Sequence, residues 1–523
     1  MTSLAFIVLV PLIGAVLARV IPTRDARVLR GLGIGCASFS IAGMLLATRT
    51  FAAYRRGFQL EINWAWITPI GARFHLGIDS ISLCFVLLAA LLALTVMLAP
   101  QAEDLSLEHL RKRVATLLAL ESGTLGVLTA LDMLTLSIFW VLATAAFLVV
   151  IRSSSEKRHS RLLTTCLALP QSLALLGVLL IMYGTIHRLT GRWTLDYATW
   201  SSLLLPQTTQ LLCLGLLGLA LFAPFALVAT GMRGNSAWPG ASLILMALPI
   251  ELCGYGFLRF GLPFFPSAWQ LAAPVLVGVA VAAVVLGALL ANRLAAPEVW
   301  AFRAWVAQFG FVLLGIVTAT AQGVAGSLFQ VLAQGLSCAG LYLILGALRR
   351  GDRVGQVKGL KLCLFVILLA AAGVPGLCDF AGEFLVVLGG WHAPAEWQHV
   401  QSPSLYIRPD IIAVIVAIAA VGFAVGFVRM LVRLAGGHAP AETGESHQLL
   451  RGERVAFAVV LAAMVGLGIL PGKILKQFAP RVTSILSSAQ ARAADAQAHP
   501  ESPARMLDPD ARKAVGGVLR GFD

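Results

Sequence analysis

Charge is what this chain has least of. Its 523 residues include 25 Asp plus Glu and 39 Lys plus Arg, 12% in all, where a soluble globular chain carries about 25%. So little charge cannot cover a water-facing surface, which excludes a soluble enzyme and a disordered tail protein. No lysine occurs between Lys157 and Lys358, and no histidine between His187 and His392. The eight cysteines form no CxxC pair and no Cys/His cluster, so neither a disulfide scaffold, a zinc site nor an iron–sulfur centre is encoded. A Walker loop, an HExxH helix, a nucleophile elbow and a strand–GxGxxG–helix context are all missing. No cofactor is expected in this chain.

Long apolar runs are what the chain has instead. Hydrophobic residues make up 59% of it, with a mean hydropathy of +0.86, and about 20 apolar residues suffice for one bilayer crossing. The sequence predicts an all-α polytopic membrane protein of about fourteen spans, at 3–21, 31–48, 80–99, 114–131, 133–151, 162–183, 208–232, 238–260, 270–292, 303–320, 325–348, 361–390, 411–434 and 455–472. The first lacks a basic leader and a small-residue cleavage site, so it reads as a retained span. Two proline positions predict helix breaks, Pro224 in the seventh span and Pro375 in the twelfth. A break frees backbone groups that neighbouring helices must satisfy.

The net charge of +14 fits the basic bias of cytoplasmic loops and does not call for nucleic acid. Arg24, Arg27 and Arg30, then Arg111 to Arg113, Lys157, Arg158 and Arg161, and Arg349 with Arg350 fall on one side of this topology. The expectation is an inner (cytoplasmic) membrane protein in contact with lipids, both termini on the non-cytoplasmic side. The tail after residue 472, rich in Ala and charge, is expected to be a peripheral arm that docks on a neighbour or stays mobile.

Six strings then occur in order: His75-Leu-Gly-Ile-Asp79-Ser-Ile-Ser-Leu83 preceded by Trp64; Gly126-Val-Leu-Thr-Ala-Leu-Asp132 running to Phe139-Trp140; Tyr255-Gly-Phe-Leu-Arg259-Phe-Gly-Leu-Pro263; Gly310-Phe-Val-Leu313; Gln334-Gly-Leu-Ser337; and Gly373-Val-Pro-Gly376 running to Glu383. Together they resemble the antiporter-like membrane subunits of respiratory complex I, the NADH-quinone oxidoreductase, in its M-type (subunit 4) branch. Mrp-type antiporter subunits belong to the same superfamily. The resemblance implies two inverted five-helix repeats with broken helices. The chain then divides into 1–113 (spans one to three), 114–263 (first repeat), 264–435 (second repeat) and 436–523 (last span and tail). It implies other antiporter-like subunits as partners, with redox centres in other chains.

In that family a glutamate on span five pairs with a lysine on span seven, and further lysines and histidines carry a proton path. This chain departs from the pattern. Val141 stands where the span-five glutamate is expected, and ungapped counting puts Ala220 at the span-seven lysine. Glu251 and Glu298 stand at two later lysine positions, Gln308 and Gln334 at two histidine positions. Glutamine keeps hydrogen bonding without titrating, and losing both members of the ion pair avoids a lone buried charge. The remaining proton-path candidates are Glu383, Glu251 and Glu298. The plainer alternatives are capping and packing beside Asp379 for Glu383, a pair with Arg259 or with a neighbour's cation for Glu251, and snorkelling or a surface ion pair with Arg293 or Arg303 for Glu298. Asp132 and Asp79 read as helix caps, and Glu121 as a weaker candidate for a subunit contact. The expectation is a divergent M-type subunit whose own path is impaired; the rival is a cation- or proton-coupled transporter subunit of Mrp or inorganic-carbon-uptake type.

Overall fold

A computed structural model describes residues 4–52, 57–99, 106–153, 158–231, 241–349, 357, 359–392, 409–436, 449–498 and 504–506; the side chains of 153–168, 224–231, 241–246, 298, 349, 497–498 and 506 lie outside the described set. The chain is mostly helical. Its first helices are α1 (Leu4–Val20), α2 (Ala26–Thr48), α3 (Ser80–Leu98), α4 (Leu107–Thr129), α5 (Met133–Ser153) and α6 (Arg158–Thr190). Between α2 and α3 the chain forms an antiparallel hairpin of β1 (Gln59–Ile67) and β2 (Ala72–Ile78), with Asn63 opposite His75. Next come the short α7 (Tyr197–Trp200), α8 (Gln207–Gly231) and α9 (Ala241–Gly256). A π-helical turn over Phe257–Gly261 leads through α10 (Leu262–Phe264) into α11 (Pro266–Ala291) and α12 (Pro297–Val317). The remainder is α13 (Ala321–Arg349), α14 (Leu360–Ala371), α15 (Cys378–Trp391), α16 (Pro409–Ala435), α17 (Arg451–Ile469) and α18 (Pro471–Ala498).

Among the described residues, nine helices are long and apolar enough to cross a bilayer. Helices suit that environment because each satisfies its own backbone groups. Their burial sorts centre from rim: 89% of the apolar window of α13 is enclosed, against 28% in α17. Helix α13 is therefore the axis around which the second half packs. Missing side chains let neighbours close in, as membrane helices require. A Cβ on Gly123 would lie 2.7 Å from the Ala143 nitrogen on α5, and one on Gly389 would lie 2.4 Å from the Gly323 nitrogen on α13.

Near Pro375 the chain is interrupted between α14 and α15, with Gly373 at φ +70° and Gly376 at φ +91°. Both are left-handed conformations that glycine adopts without steric cost. Gly373 has a second reason to be glycine: its Cβ would lie 2.6 Å from Glu383 Oε2. At Pro224 the expectation needs correction. Helix α8 continues without a break from Gln207 to Gly231, and a proline is tolerated inside a membrane helix when its surroundings satisfy the freed groups.

The tail is a second correction. Residues 471–498 form α18, which packs on this chain itself, across the ends of α3, α10, α11 and α13. Its inward positions, Phe478, Arg481, Val482, Ile485, Ala489 and Arg492, recur at helical spacing, so one face is buried and the other polar. A hydropathy scan misses such a helix because its two faces cancel.

Candidate functional site

The polar heart of the second half is built from three helices. Helix α12 supplies Gln308; α13 supplies Gln330, Gln334 and Ser337; α15 supplies Asp379 and Glu383. Four-residue spacing puts Asp379 and Glu383 on one face of α15, as it does Gln330 and Gln334 on α13. Gln308 Nε2 donates to Glu383 Oε1 at 3.0 Å, and Gln330 Nε2 donates to Gln308 Oε1 at 2.5 Å and to Asp379 Oδ1 at 3.3 Å. Ser337 Oγ donates to Asp379 Oδ2 at 2.6 Å, and the Cys378 thiol approaches the same oxygen at 3.3 Å. Two carboxyl groups are thus joined by a bridge of two amides, all of it buried. Asp379 also lies in the first turn of α15, where the helix dipole favours a negative charge. Gln334 is buried beside this set, and neither of its amide atoms has a partner among the described residues. Glu298 lies in the first turn of α12, and its side chain falls outside the described residues.

In the first half, the described residues beside the positions of Val141 and Ala220 are mostly apolar. Val141 faces outward from α5, 53% exposed, whereas Ala220 is wholly enclosed in α8. Beside both positions a cavity of about 40 Å³ is lined by Trp140, Leu217, Leu221, Leu252 and Phe260 among others. Space with such a lining has too few polar partners to hold a file of water. Glu251 is completely buried, and neither carboxyl oxygen has a hydrogen bond among the described residues. The suggested pair with Arg259 is not formed. Glu121 is likewise interior, which corrects its reading as a contact surface.

Arg259 instead reaches the hairpin end of the molecule. Asp79 caps α3 through a capping box with Ser82, and its Oδ2 accepts from Arg259 Nη1 at 2.6 Å and Arg481 Nε at 2.9 Å. The Arg259 guanidinium lies 4.3 Å from the Phe58 ring centroid and 4.8 Å from that of Tyr197, a cation–π arrangement that helps carry the second positive charge. Arg492 donates to the carbonyls of Pro263 and Leu203, fastening the far part of α18. Asp132 caps α5, accepting from the amides of Leu134 and Thr135 at 3.0 Å each.

Gln330 is the member of the buried cluster that the sequence reading missed. The available signal was its four-residue spacing from Gln334 on an apolar helix. The clustering of Arg481 with Asp79 offered no such signal, since 402 residues separate them. Among the described residues no group of three or more His, Cys, Asp or Glu could hold a metal ion.

Bundled apolar helices, a central broken helix and a buried carboxyl–amide cluster define a multi-pass integral membrane protein of the antiporter-like class. Residues 130–402 match the family "NADH:quinone oxidoreductase/Mrp antiporter, TM", and this chain belongs to that family. It is 30% identical over 411 residues to NAD(P)H-quinone oxidoreductase chain 4 2 of Trichodesmium erythraeum, covering 74% of this chain and 71% of that one. It is 26% identical over 462 residues to NADH-quinone oxidoreductase subunit M of Rickettsia felis, covering 83% and 88%. Its fold matches a chain of respiratory complex I from Thermus thermophilus with a TM-score of 0.77 at 21% identity, covering 93% of this chain and 99% of that one. A chain of the Mrp complex from Dietzia sp. matches with a TM-score of 0.72 at 17% identity, covering 99% and 55%.

Proposed function

We propose that this protein is a divergent M-type membrane-arm subunit of a complex-I-like, proton-translocating NADH-quinone oxidoreductase, and that its own proton path is impaired. On this reading the chain crosses the inner membrane fourteen times with both termini on the non-cytoplasmic side. Residues 114–263 and 264–435 are the two inverted repeats, and neighbouring antiporter-like subunits and lipids cover the outer helical faces. The observation that carries the reading is the uncharged setting, among the described residues, of the two positions where the family's ion pair is expected. Val141 faces outward, Ala220 is enclosed, and the cavity lined by their chain neighbours Trp140 and Leu221 has no charged side chain in its lining. A proton path needs groups that change charge state inside the bilayer, and no lysine or histidine occupies the windows where they would sit. The amides of Gln308 and Gln330 keep the second-half cluster packed without titrating.

Glu251→Gln and Glu383→Gln, placed in the purified and reconstituted complex, test the proposal. Proton pumping per electron should stay near the parental value in both, with assembly alone affected. Loss of pumping at normal assembly and normal electron transfer would overturn it and favour a path rerouted through these carboxyls. The fold likeness to an Mrp chain over 99% of this chain supports a second reading, a cation- or proton-coupled transporter subunit. Mass spectrometry of co-purified chains separates the two: quinone-oxidoreductase subunits support the first, short Mrp-type subunits the second.

A further inference from the structure

His75, on β2, is enclosed between two carboxylates that come from different elements. Its Nε2 lies 3.2 Å from Glu61 Oε2 on β1, and its Nδ1 lies 3.2 Å from Asp196 Oδ1 at the cap of α7. A neutral imidazole offers one N–H and one lone pair, while an ionised carboxylate only accepts. Both contacts can therefore be hydrogen bonds only when the group holds one extra proton. Without it, a ring lone pair faces a carboxylate oxygen.

Two of the three participants are fixed. Asp196 Oδ2 accepts from the amides of Ala198 and Thr199 at 3.1 and 3.3 Å, and the His75 carbonyl accepts from the Leu131 amide at 2.9 Å. Glu61 is the loose member: its side chain is 46% exposed, and the β1 register shifts between Gln59 and Ile62 beside it. Two further charged groups among the described residues near the site are committed elsewhere. Asp132, from the turn between α4 and α5, accepts from the amides of Arg73, Leu134 and Thr135, and the Arg73 side chain donates to Asn63.

We propose that His75 is a proton-dependent clasp that ties strand β1, through Glu61, to the α7 cap, through Asp196, and frees β1 when the proton leaves to the aqueous side. Strand β1 carries Trp64 and Trp66, both exposed, so the clasp sets the position of an aromatic edge. Burial opposes the charge on the ring, yet the hydrogen bonds and negative charges of Asp196 and Glu61 outweigh it and raise the His75 pKa above its ordinary value. The stabilisation is then complete below the unfolded-state pKa and is lost as pH rises through the raised folded value.

Hydrogen–deuterium exchange on the full chain in its purified complex, between about pH 6 and 9, reads this directly. After correction for intrinsic exchange rates, amides of β1 should lose about fivefold in protection as pH rises, the scale of a half-exposed ion pair. The β2 amides that donate to β1 should follow it, whereas the Arg73 amide, which donates to Asp132, should not change. His75→Gln should give a flat profile at the loosened level. Glu61→Gln, a change at an exposed side chain that leaves the fold intact, should also flatten the profile, because a neutral amide can donate to the neutral ring. A flat profile in the parental protein, or the same step retained in either variant, would overturn the proposal.

Discussion

Arg259 donates to Asp79 at 2.6 Å across 180 residues of sequence, and Glu251, eight positions away on the same stretch, has no hydrogen bond among the described residues. The arginine thus serves the hairpin end of the molecule and not the membrane interior. One carboxylate there answers two buried guanidinium groups, one of them brought by the tail helix α18.

That arrangement makes Asp79→Asn a severe change. Asparagine still caps α3, so the cap survives while Arg259 and Arg481 lose their shared negative charge. Removing one side of a buried ion pair costs about 3–5 kcal/mol. Arg481→Met should cost less, because Asp79 keeps Arg259. The two changes together should cost clearly less than their sum, since they remove one shared interaction. Thermal midpoints of the four proteins in the purified complex form the cycle, and strict additivity would show that α18 is not held through Asp79.

The second-half cluster makes a contrast between two glutamines on one helix. Gln330→Leu removes the donor shared by Gln308 and Asp379 and leaves buried acceptors unpaired, a loss of about 1–3 kcal/mol. Gln334→Leu removes two amide atoms that already lack partners among the described residues, so it should be neutral or mildly stabilising. Equal destabilisation of the complex by both variants would contradict the hydrogen-bond pattern.

Much of this was legible in the sequence, for physical reasons. Long apolar runs located the helices because a bilayer demands them, and Asp79 with Ser82 displayed the spacing of a capping box. The ordered strings identified the family, which the match over 130–402 bears out. Three things were not legible. The α18 helix has no apolar run, Gln330 carries no charge to draw notice, and the Asp79–Arg259–Arg481 group is assembled from distant segments. At Pro224 the residue rule did not hold, since α8 continues through it.

The enclosed setting of Ala220 sets a prediction. Ala220→Lys places an ammonium group at a fully enclosed position, with Val141 offering no carboxylate in return. Insertion of a lysine at the centre of a membrane helix costs about 2.5–3.5 kcal/mol. The variant should reach the membrane at severalfold lower yield, measured by quantitative immunoblotting of membranes, and should not gain proton pumping. A normal yield with increased pumping would mean that a polar path through α8 persists.

Helix contact in the second half can be tested at two glycines of α11. A Cβ at Gly287 would lie 2.3 Å from the Ala307 nitrogen and 2.6 Å from its Cβ on α12, whereas one at Gly278 meets nothing within 4 Å. Gly287→Ala must therefore push α11 away from α12, and backbone on the far side cannot yield as a flexible side chain would. Overpacking of this kind costs about 1–3 kcal/mol. It also reaches α12 itself, which carries Gln308, so the Gln308–Glu383 bond at 3.0 Å should be strained with it. Gly278→Ala meets no neighbour and gains helix propensity of up to about 1 kcal/mol, so it should leave stability unchanged or slightly raised. The comparison holds residue chemistry, helix and membrane constant and varies only the closeness of the neighbouring backbone. Thermal midpoints of the two variants in the complex decide it, and a Gly287→Ala protein as stable as Gly278→Ala would mean that α11 and α12 do not pack through this glycine.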